Sequence, residues 1–380
     1  MAVDPGNVVQ NAIYLSGGTP WPIGFDAWEA RARELLEQTH YDYVAGGAGA
    51  EETMRANLDA FRRRALRPRM LVGTAERDIS VEVLGLHSAA PFLLAPVGVL
   101  SIVHADAERA VAGAARSTGI PMVLSSAAST SLEDVAALDP PRWFQLYWWG
   151  DPELAESLVR RAEAAGYGAI VLTVDTLTLG WRPRDLRHGY MPFLKGQGLA
   201  QFFSEPAFLA RLESPPDDNL VTASLMALSA FPNLGLTWND LARLRQWTSL
   251  PILLKGVQRG DDAQRALERG VDGVVVSNHG GRQVDGSIAA LDALVEVREA
   301  VGREAVVLMD SGIRTGADVV KAVALGANAV LLGRAYVYGL AVGGQEGLEA
   351  VIAQLAAEVD LTMALSGAST VADLDPSLVA

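Results

Sequence analysis

From Pro91 onward, short apolar runs alternate with longer amphipathic segments. The runs are PFLLAPV (91–97), PMVLSS (121–126), RWFQLYW (142–148), AIVLTVD (169–175), ILLKGV (252–257), GVVVSN (273–278), VVLMDS (306–311) and AVLLGR (329–334). Near-continuous Val, Ile and Leu closed by small or polar residues is the pattern of a strand buried on both faces. Between them, 106–118, 152–165, 261–269, 289–301 and 316–325 carry apolar residues at helical spacing. Strand, helix, strand at this interval predicts right-handed βαβ units and a parallel sheet. Eight units over roughly 250 residues predict an α/β fold, a closed (β/α)8 TIM barrel; an open doubly wound sheet is the alternative.

The flanks break this rhythm. Residues 1–25 are rich in Gly and Pro (Gly17-Gly18-Thr19-Pro20-Trp21-Pro22) and read as an extended arm. Residues 26–45 have helical spacing with Asp26 as N-cap, followed by a loop at Gly46-Gly47-Ala48-Gly49. Residues 1–90 are therefore expected to be an N-terminal arm and helical cap, 91–367 the barrel, and 368–380 a C-terminal tail. After the fourth run comes a long insertion, 176–235, before the helical LTWNDLARLRQW. Loops of this length in a compact domain tend to be lids. Its aromatics Trp181, Tyr190, Phe193, Phe202 and Phe203 predict a packed but mobile one.

Composition narrows the chemistry. The formal net charge is −14, which argues against nucleic acid and against an anionic membrane surface as partners. No run approaches the ~20 apolar residues of a spanning helix. The N-terminus, MAVDPGNVVQ, lacks the basic and apolar regions of a signal peptide. With no cysteine, thiolate metal sites and a Cys nucleophile are excluded, and a cytoplasmic location is expected. No His/Asp/Glu cluster has metal-ligand spacing, so no metal is expected. His40, His87, His104 and His188 read as structural or exposed.

In barrel enzymes the site lies at the C-terminal strand ends. Here those ends deliver Val97 and Gly98, Ser125 and Ser126, Gln145 and Tyr147, Thr173 and Asp175, and Lys255. The later ones deliver Ser277, His279 and Arg282, then Asp310, Gly312 and Arg314, then Gly333 and Arg334. SNHGGRQ (277–283) alone reads as a polar loop with a structural His and a solvated Arg. Polar groups at nearly every strand end override that. His279 is a candidate proton acceptor, with Asp175 as the carboxylate that orients it. Arg282 is a planar fork suited to a carboxylate or phosphate. Lys255 reads as a Schiff-base amine, a fixed positive charge or a surface lysine. DSGIRTG (310–316) opening a helix, with Gly333-Arg334 after the last strand, reads as a phosphate cup.

Together SNHGGRQ, LTVDT, FQLYW, LLKGV, DSGIRTGADVVKA and LLGRA resemble the FMN-dependent 2-hydroxy-acid oxidases. The resemblance spans about residues 26–367 and falls on seven or eight strands in order. YVAGGAGAEETMRAN, APVGV and GWRPRDL with its long lid lean toward the lactate 2-monooxygenase branch. The resemblance implies hydride transfer from substrate Cα to flavin N5, with His279, paired to Asp175, as base. It implies that Arg182 and Arg282 clamp the substrate carboxylate and that Tyr43 and Tyr147 hydrogen-bond the substrate. Lys255 is implied beside the flavin N1–O2 edge; Val97, Gly98, Ser126, Gln145 and Thr173 around the isoalloxazine. Ser277, Asp310, Gly312, Arg314, Gly333 and Arg334 are implied to hold the ribityl phosphate. Arg184 is a second candidate clamp in WRPRD; the family pattern prefers Arg182, two residues after Gly180.

Four positions depart from common family patterns. Val97 stands where some members have Ser or Thr, so one flavin hydrogen bond is expected to be missing. Gly98 replaces a frequent Ala, which is expected to leave room beside N5 and alter oxygen reactivity. Trp181 is expected to crowd the pocket toward small substrates. Ala335 replaces a usual Pro, with little effect expected. The expected activity is oxidation of a small L-2-hydroxy acid, L-lactate, by oxygen in a homo-oligomer, tetramer or octamer. The products expected are acetate, carbon dioxide and water; a plain oxidase releasing pyruvate and peroxide is the alternative. More distant readings are a phosphate-binding barrel isomerase and a flavin-binding barrel without turnover.

Overall fold

All eight apolar runs are parallel strands in the computed structural model, which describes residues 5–231 and 233–380. They are β1 Phe92–Leu94, β2 Met122–Ser125, β3 Arg142–Tyr147 and β4 Ile170–Thr173. There follow β5 Ile252–Val257, β6 Gly273–Val276, β7 Val306–Met309 and β8 Ala329–Leu332. Each pairs with the next, and β8 pairs with β1 through Leu332 and Leu94, so the sheet closes. This is the expected TIM barrel. Closure leaves no strand edge exposed.

Side-chain alternation separates two cores. Leu93, Val123, Trp143, Val171, Leu253, Val275, Leu308 and Leu331 pack together inside the barrel. Their neighbours along the strands, including Leu94, Phe144, Leu172 and Val276, pack outward against the helices. A hairpin, Val81–Val83 with Leu86–Ser88, packs Val83 against the inner set, which nothing in its three-residue strands announces.

Register brings the strand ends level. Ser125 pairs with Gln145, Tyr147 with Thr173, and Thr173 with Lys255. The helices between are those the spacing predicts: Ala107–Thr118, Pro152–Ala164, Gly260–Glu268, Ala290–Val301 and Gly316–Ala324. The last starts on a capping box, Thr315 with Asp318, which fixes the chain just beyond Arg314.

Three expectations need correction. The arm at 1–25 is not extended where it is described. Pro5–Leu15 is a helix packed on a long C-terminal helix, Arg334–Ser366, and the Asp360 carboxylate accepts the Gly6 N–H at 3.1 Å. Residues 1–4 of the arm lie outside the described residues. Gly17 and Gly18 do turn the chain, with positive φ. The helix at 26–45 is two, Phe25–Leu35 and Gln38–Ala45, broken where Leu36 is extended. It starts at Phe25, so Asp26 sits in the first turn rather than at the N-cap. The helix Glu52–Arg63 and the long C-terminal helix have no counterpart in the periodicity reading; Gly343 and Gly344 kink the latter. Within the insertion run short helices, Pro183–His188, Ala200–Phe203 and Pro206–Leu209, and a longer one, Leu220–Ala230. Among the described residues no helix is long and apolar enough to cross a membrane.

Candidate active site

The C-terminal strand ends open into one pocket, roofed by the insertion and by Tyr43 and Val44 in the last turn of the helix Gln38–Ala45. His279 follows β6 in the left-handed region, with φ 58°. Non-glycine residues hold that conformation only when their surroundings over-determine it. Here the His279 N–H is donated to Ser277 Oγ at 2.9 Å and Gly280 N–H to Ser311 Oγ at 2.9 Å. Asn278 Oδ1 accepts the Gly281 N–H at 3.1 Å. A Cβ on Gly281 would lie 2.7 Å from the Met54 nitrogen, so this loop and the helix Glu52–Arg63 pack only with glycine between them.

His279 Nδ1 donates to Asp175 Oδ1 at 2.8 Å, although the two are 104 residues apart. Thr176 Oγ1 donates to the same carboxylate oxygen at 2.8 Å and lies 3.1 Å from Nδ1. With Nδ1–H so held, the lone pair resides on Nε2. Burial alone would raise Asp175, but the His279 and Lys255 charges and the His279 and Thr176 hydrogen bonds hold it down to about 2. Burial, aided by the Lys255 and Arg182 charges, pushes His279 below its ordinary value despite Asp175. The imidazole is therefore neutral near pH 7 and able to accept a proton.

Lys255 is buried, with Nζ 3.0 Å from Asp310 Oδ2 and donating to Ser277 Oγ at 3.1 Å. Burial would lower its pKa, but Asp310, Asp175 and Tyr147 outweigh that and raise it. Lys255 is thus a fixed cation, neither a surface lysine nor a free amine for a Schiff base. Tyr147 is pushed up to about 12, chiefly by burial, and keeps its phenolic proton. Ser126, Gln145 and Thr173 form a buried polar chain at the strand ends. Gln145 Nε2 donates to Thr173 Oγ1 at 2.9 Å, and Gln145 Oε1 accepts the Ser126 N–H at 3.2 Å.

Four guanidiniums converge on the pocket: Arg182, Arg282, Arg314 and Arg334. Among the described residues none of them is ion-paired with a carboxylate; their hydrogen bonds run to neutral oxygens. Arg282 donates to the Tyr43 and Gly46 carbonyls at 2.6 and 2.9 Å and lies over the Tyr43 ring. Arg334 donates to the Val44, Gly46 and Gly280 carbonyls. Arg182 donates to the Arg282 carbonyl and to Gln283 Oε1. Arg314 donates to the Ile313 carbonyl and stacks on Phe25 at 4.1 Å. Burial first, and neighbouring arginines second, drive Arg282 and Arg314 below their usual range; burial does the same to Arg334. Half-buried cations repelling one another are a site shaped for anions. A Cβ on Gly333, which lines the pocket, would meet nothing within 4 Å, so the backbone there faces open space beside Arg334.

Tyr43, Val97, Gly98, Asp310 and Gly312 also line the pocket. Arg184, the second candidate clamp, does not; it donates to Glu51 Oε2 at 2.7 Å and ties the lid to the N-terminal cap. His188 does likewise, 3.0 Å from Asp42 Oδ2. Two expectations about space are corrected. Trp181 is 73% exposed and turned away, so it does not crowd the pocket. A Cβ on Gly98 would lie 2.9 Å from the Ala127 Cβ and carbonyl oxygen. Gly98 therefore permits close packing of two loops rather than leaving a vacancy. Sequence reasoning missed Thr176, Ser311, Leu179 and Phe231 in the lining. Thr176 and Ser311 adjoin residues already singled out; Leu179 and Phe231 carry no local signal.

A model of FMN-dependent dehydrogenases matches residues 32–380. An FMN-dependent alpha-hydroxy acid dehydrogenase of Penicillium citrinum is 47% identical, over 91% of this chain and 87% of that protein. An L-lactate oxidase of Nostoc sp. is 44% identical, over 94% and 98%. Among solved structures, a mandelate oxidase with (S)-4-hydroxymandelic acid superposes with a TM-score of 0.84 at 38% identity, covering 93% of this chain and 97% of that one.

Proposed function

Because the chain belongs to the FMN-dependent dehydrogenase family, we propose that it oxidises an L-2-hydroxy acid with oxygen as the final acceptor. The residues present fit the cofactor. Arg314 and Arg334 are half-buried cations beside the open space at Gly333, at the end of the pocket served by β7 and β8. They would hold the phosphate together with Gly312 and Gly333. Ser277 and Asp310 are held instead on Lys255, and Val97, Gly98, Ser126, Gln145 and Thr173 would surround the ring system. Lys255 would place its charge where electron density collects. Bound FMN supplies the hydride acceptor and passes the electrons on to oxygen.

The observation that carries the reading is the His279–Asp175 pair opening onto the same pocket as two unpaired arginines. Arg182 and Arg282 bind the substrate carboxylate, and Tyr43 and Tyr147 add hydrogen bonds. This presents the Cα hydroxyl to Nε2 of His279. The hydroxyl proton moves to Nε2 as the Cα hydrogen leaves with its electron pair. Asp175 stabilises the imidazolium so formed. The half-buried Tyr147 phenol, its pKa pushed up, keeps its proton and donates throughout.

The finer reading is an outcome of the lactate 2-monooxygenase type, in which keto acid and peroxide react before release, whatever the third group of the acid. The lid supports it: Leu179, Arg182, Phe193 and Phe231 are lid residues that reach the pocket, and lid opening would govern release. We place the enzyme in the cytoplasm as a homo-oligomer, on its lack of cysteine and its family resemblance. Incubation of the purified enzyme with L-lactate in air tests the product set. Acetate and carbon dioxide with little free peroxide support internal decarboxylation; stoichiometric pyruvate and peroxide establish a plain oxidase.

A further inference from the structure

Apart from Thr176 and Arg182, what the lid lends to the pocket is hydrocarbon: Leu179, Phe193 and Phe231. Phe231 packs on Tyr147 at 5.2 Å between ring centroids and on Phe193 at 6.1 Å. Phe193, Val99 and Ala127 in turn converge on one point, each within 2.9 Å of where a Gly198 side chain would begin. Val99 and Ala127 line the pocket too. Tyr147, Phe231, Phe193, Val99 and Ala127 form one apolar wall whose polar atoms, among side chains, reduce to the Tyr147 hydroxyl, and Leu179 adds a further lid hydrocarbon to the same pocket. Arg182 is the lid cation beside it, acting on Tyr147 and claimed by the substrate carboxylate; Arg184 is held by Glu51, and Trp181 points to solvent.

An L-2-hydroxy acid presents three groups at Cα. The carboxylate goes to the arginines and the hydroxyl to His279, which leaves the third group to this wall. A methyl group would cover little of it. A second carboxylate or an ammonium would lose its water there without gaining a partner. We infer that the preferred substrates are L-2-hydroxy acids whose third group is a hydrocarbon of phenyl size or longer, read by Leu179, Phe193 and Phe231. This rests on the oxidase reading above, and it replaces the small substrate that an inward Trp181 would have required.

The test is kcat/KM of the FMN-loaded enzyme for (S)-mandelate, L-2-hydroxyoctanoate, L-lactate and L-malate, with flavin bleaching under anaerobic conditions as a second readout. Each methylene buried is worth roughly fourfold. Mandelate or 2-hydroxyoctanoate is therefore expected to exceed lactate by tenfold or more, and malate to fall below lactate. Phe231→Ala, or Leu179→Ala should the first fail to fold, is expected to reduce the preference for the larger substrate over lactate about tenfold. If neither larger acid exceeds lactate tenfold, the inference is overturned while the oxidase reading stands. An unchanged preference in both variants overturns the assignment of the wall. If none of the four acids bleaches the flavin, the oxidase reading itself fails.

Discussion

At the scale of single residues, the site depends on holding a neutral imidazole next to a carboxylate that never titrates near pH 7. His279→Gln keeps a hydrogen-bonding group of similar length but removes the base. The rate of flavin reduction is expected to fall by about 10²–10⁴, with FMN still bound, as seen by stopped-flow absorbance and the flavin-to-protein ratio. The pH dependence follows from the direction of the His279 shift. Its folded value lies below the ordinary 6.5, so kcat/KM is expected to be level above pH 6.5 and to fall only on the acid side of it. A profile still rising between pH 7 and 8 would contradict this. Stability runs the same way. The unfolded imidazole protonates near 6.5 and the folded one lower, so this contribution is complete above 6.5 and is lost as pH falls through the folded value. Asp175, held at about 2 against 3.8, contributes fully above 3.8 and loses its contribution toward pH 2.

The loops after β7 and β8 bring Arg314 and Arg334 to one end of the pocket, where each is half-buried and, among the described residues, without a carboxylate partner. Charge-assisted hydrogen bonds are worth about 1.5–3 kcal/mol each. Arg334→Ala is therefore expected to weaken FMN binding about 10- to 100-fold, measured by fluorescence titration of the apoprotein, and Arg334→Lys to recover only part of it. The strands that carry these loops were legible in the sequence because burial on both faces demands unbroken apolar runs. The site was legible wherever a polar residue closed such a run, as at Asp175, Lys255, His279 and Asp310. What escaped was set by long-range packing. Pro5–Leu15 looked like an arm because Pro and Gly dominate its surroundings, yet the Asp360 carboxylate caps it. The hairpin at 81–88 is too short for periodicity. Trp181 and Arg184 lie two and four residues beyond Leu179 and Gly180, but side-chain direction on a loop has no sequence signal. One therefore faces solvent and the other Glu51.

For the molecule as a whole, a buried ion pair among the described residues ties the elements before and after the barrel. Arg77 Nε and Nη2 lie 2.8 Å from Asp360 Oδ1 and Oδ2, with side chains 7% and 0% exposed. The same carboxylate caps the helix at Gly6. Removing one partner of such a pair leaves a buried charge and costs about 3–5 kcal/mol. Arg77→Ala is expected to lower stability by that amount in denaturant unfolding without changing the flavin-to-protein ratio of the folded fraction. A loss under 1 kcal/mol would mean that water reaches Asp360 in the variant.

The guanidinium of Arg334 holds the carbonyl of Val44 across 290 positions of chain, and β8 must arrive before β1 has its second neighbour. On a ribosome adding about 5–20 residues per second, the two ends of that grip are made roughly 15–60 s apart. Until β8 emerges the sheet has open edges and the cofactor's pocket has no far wall. Flavin loading is thus an event of the finished chain, and the growing one must be kept from pairing its edges with other chains in the meantime.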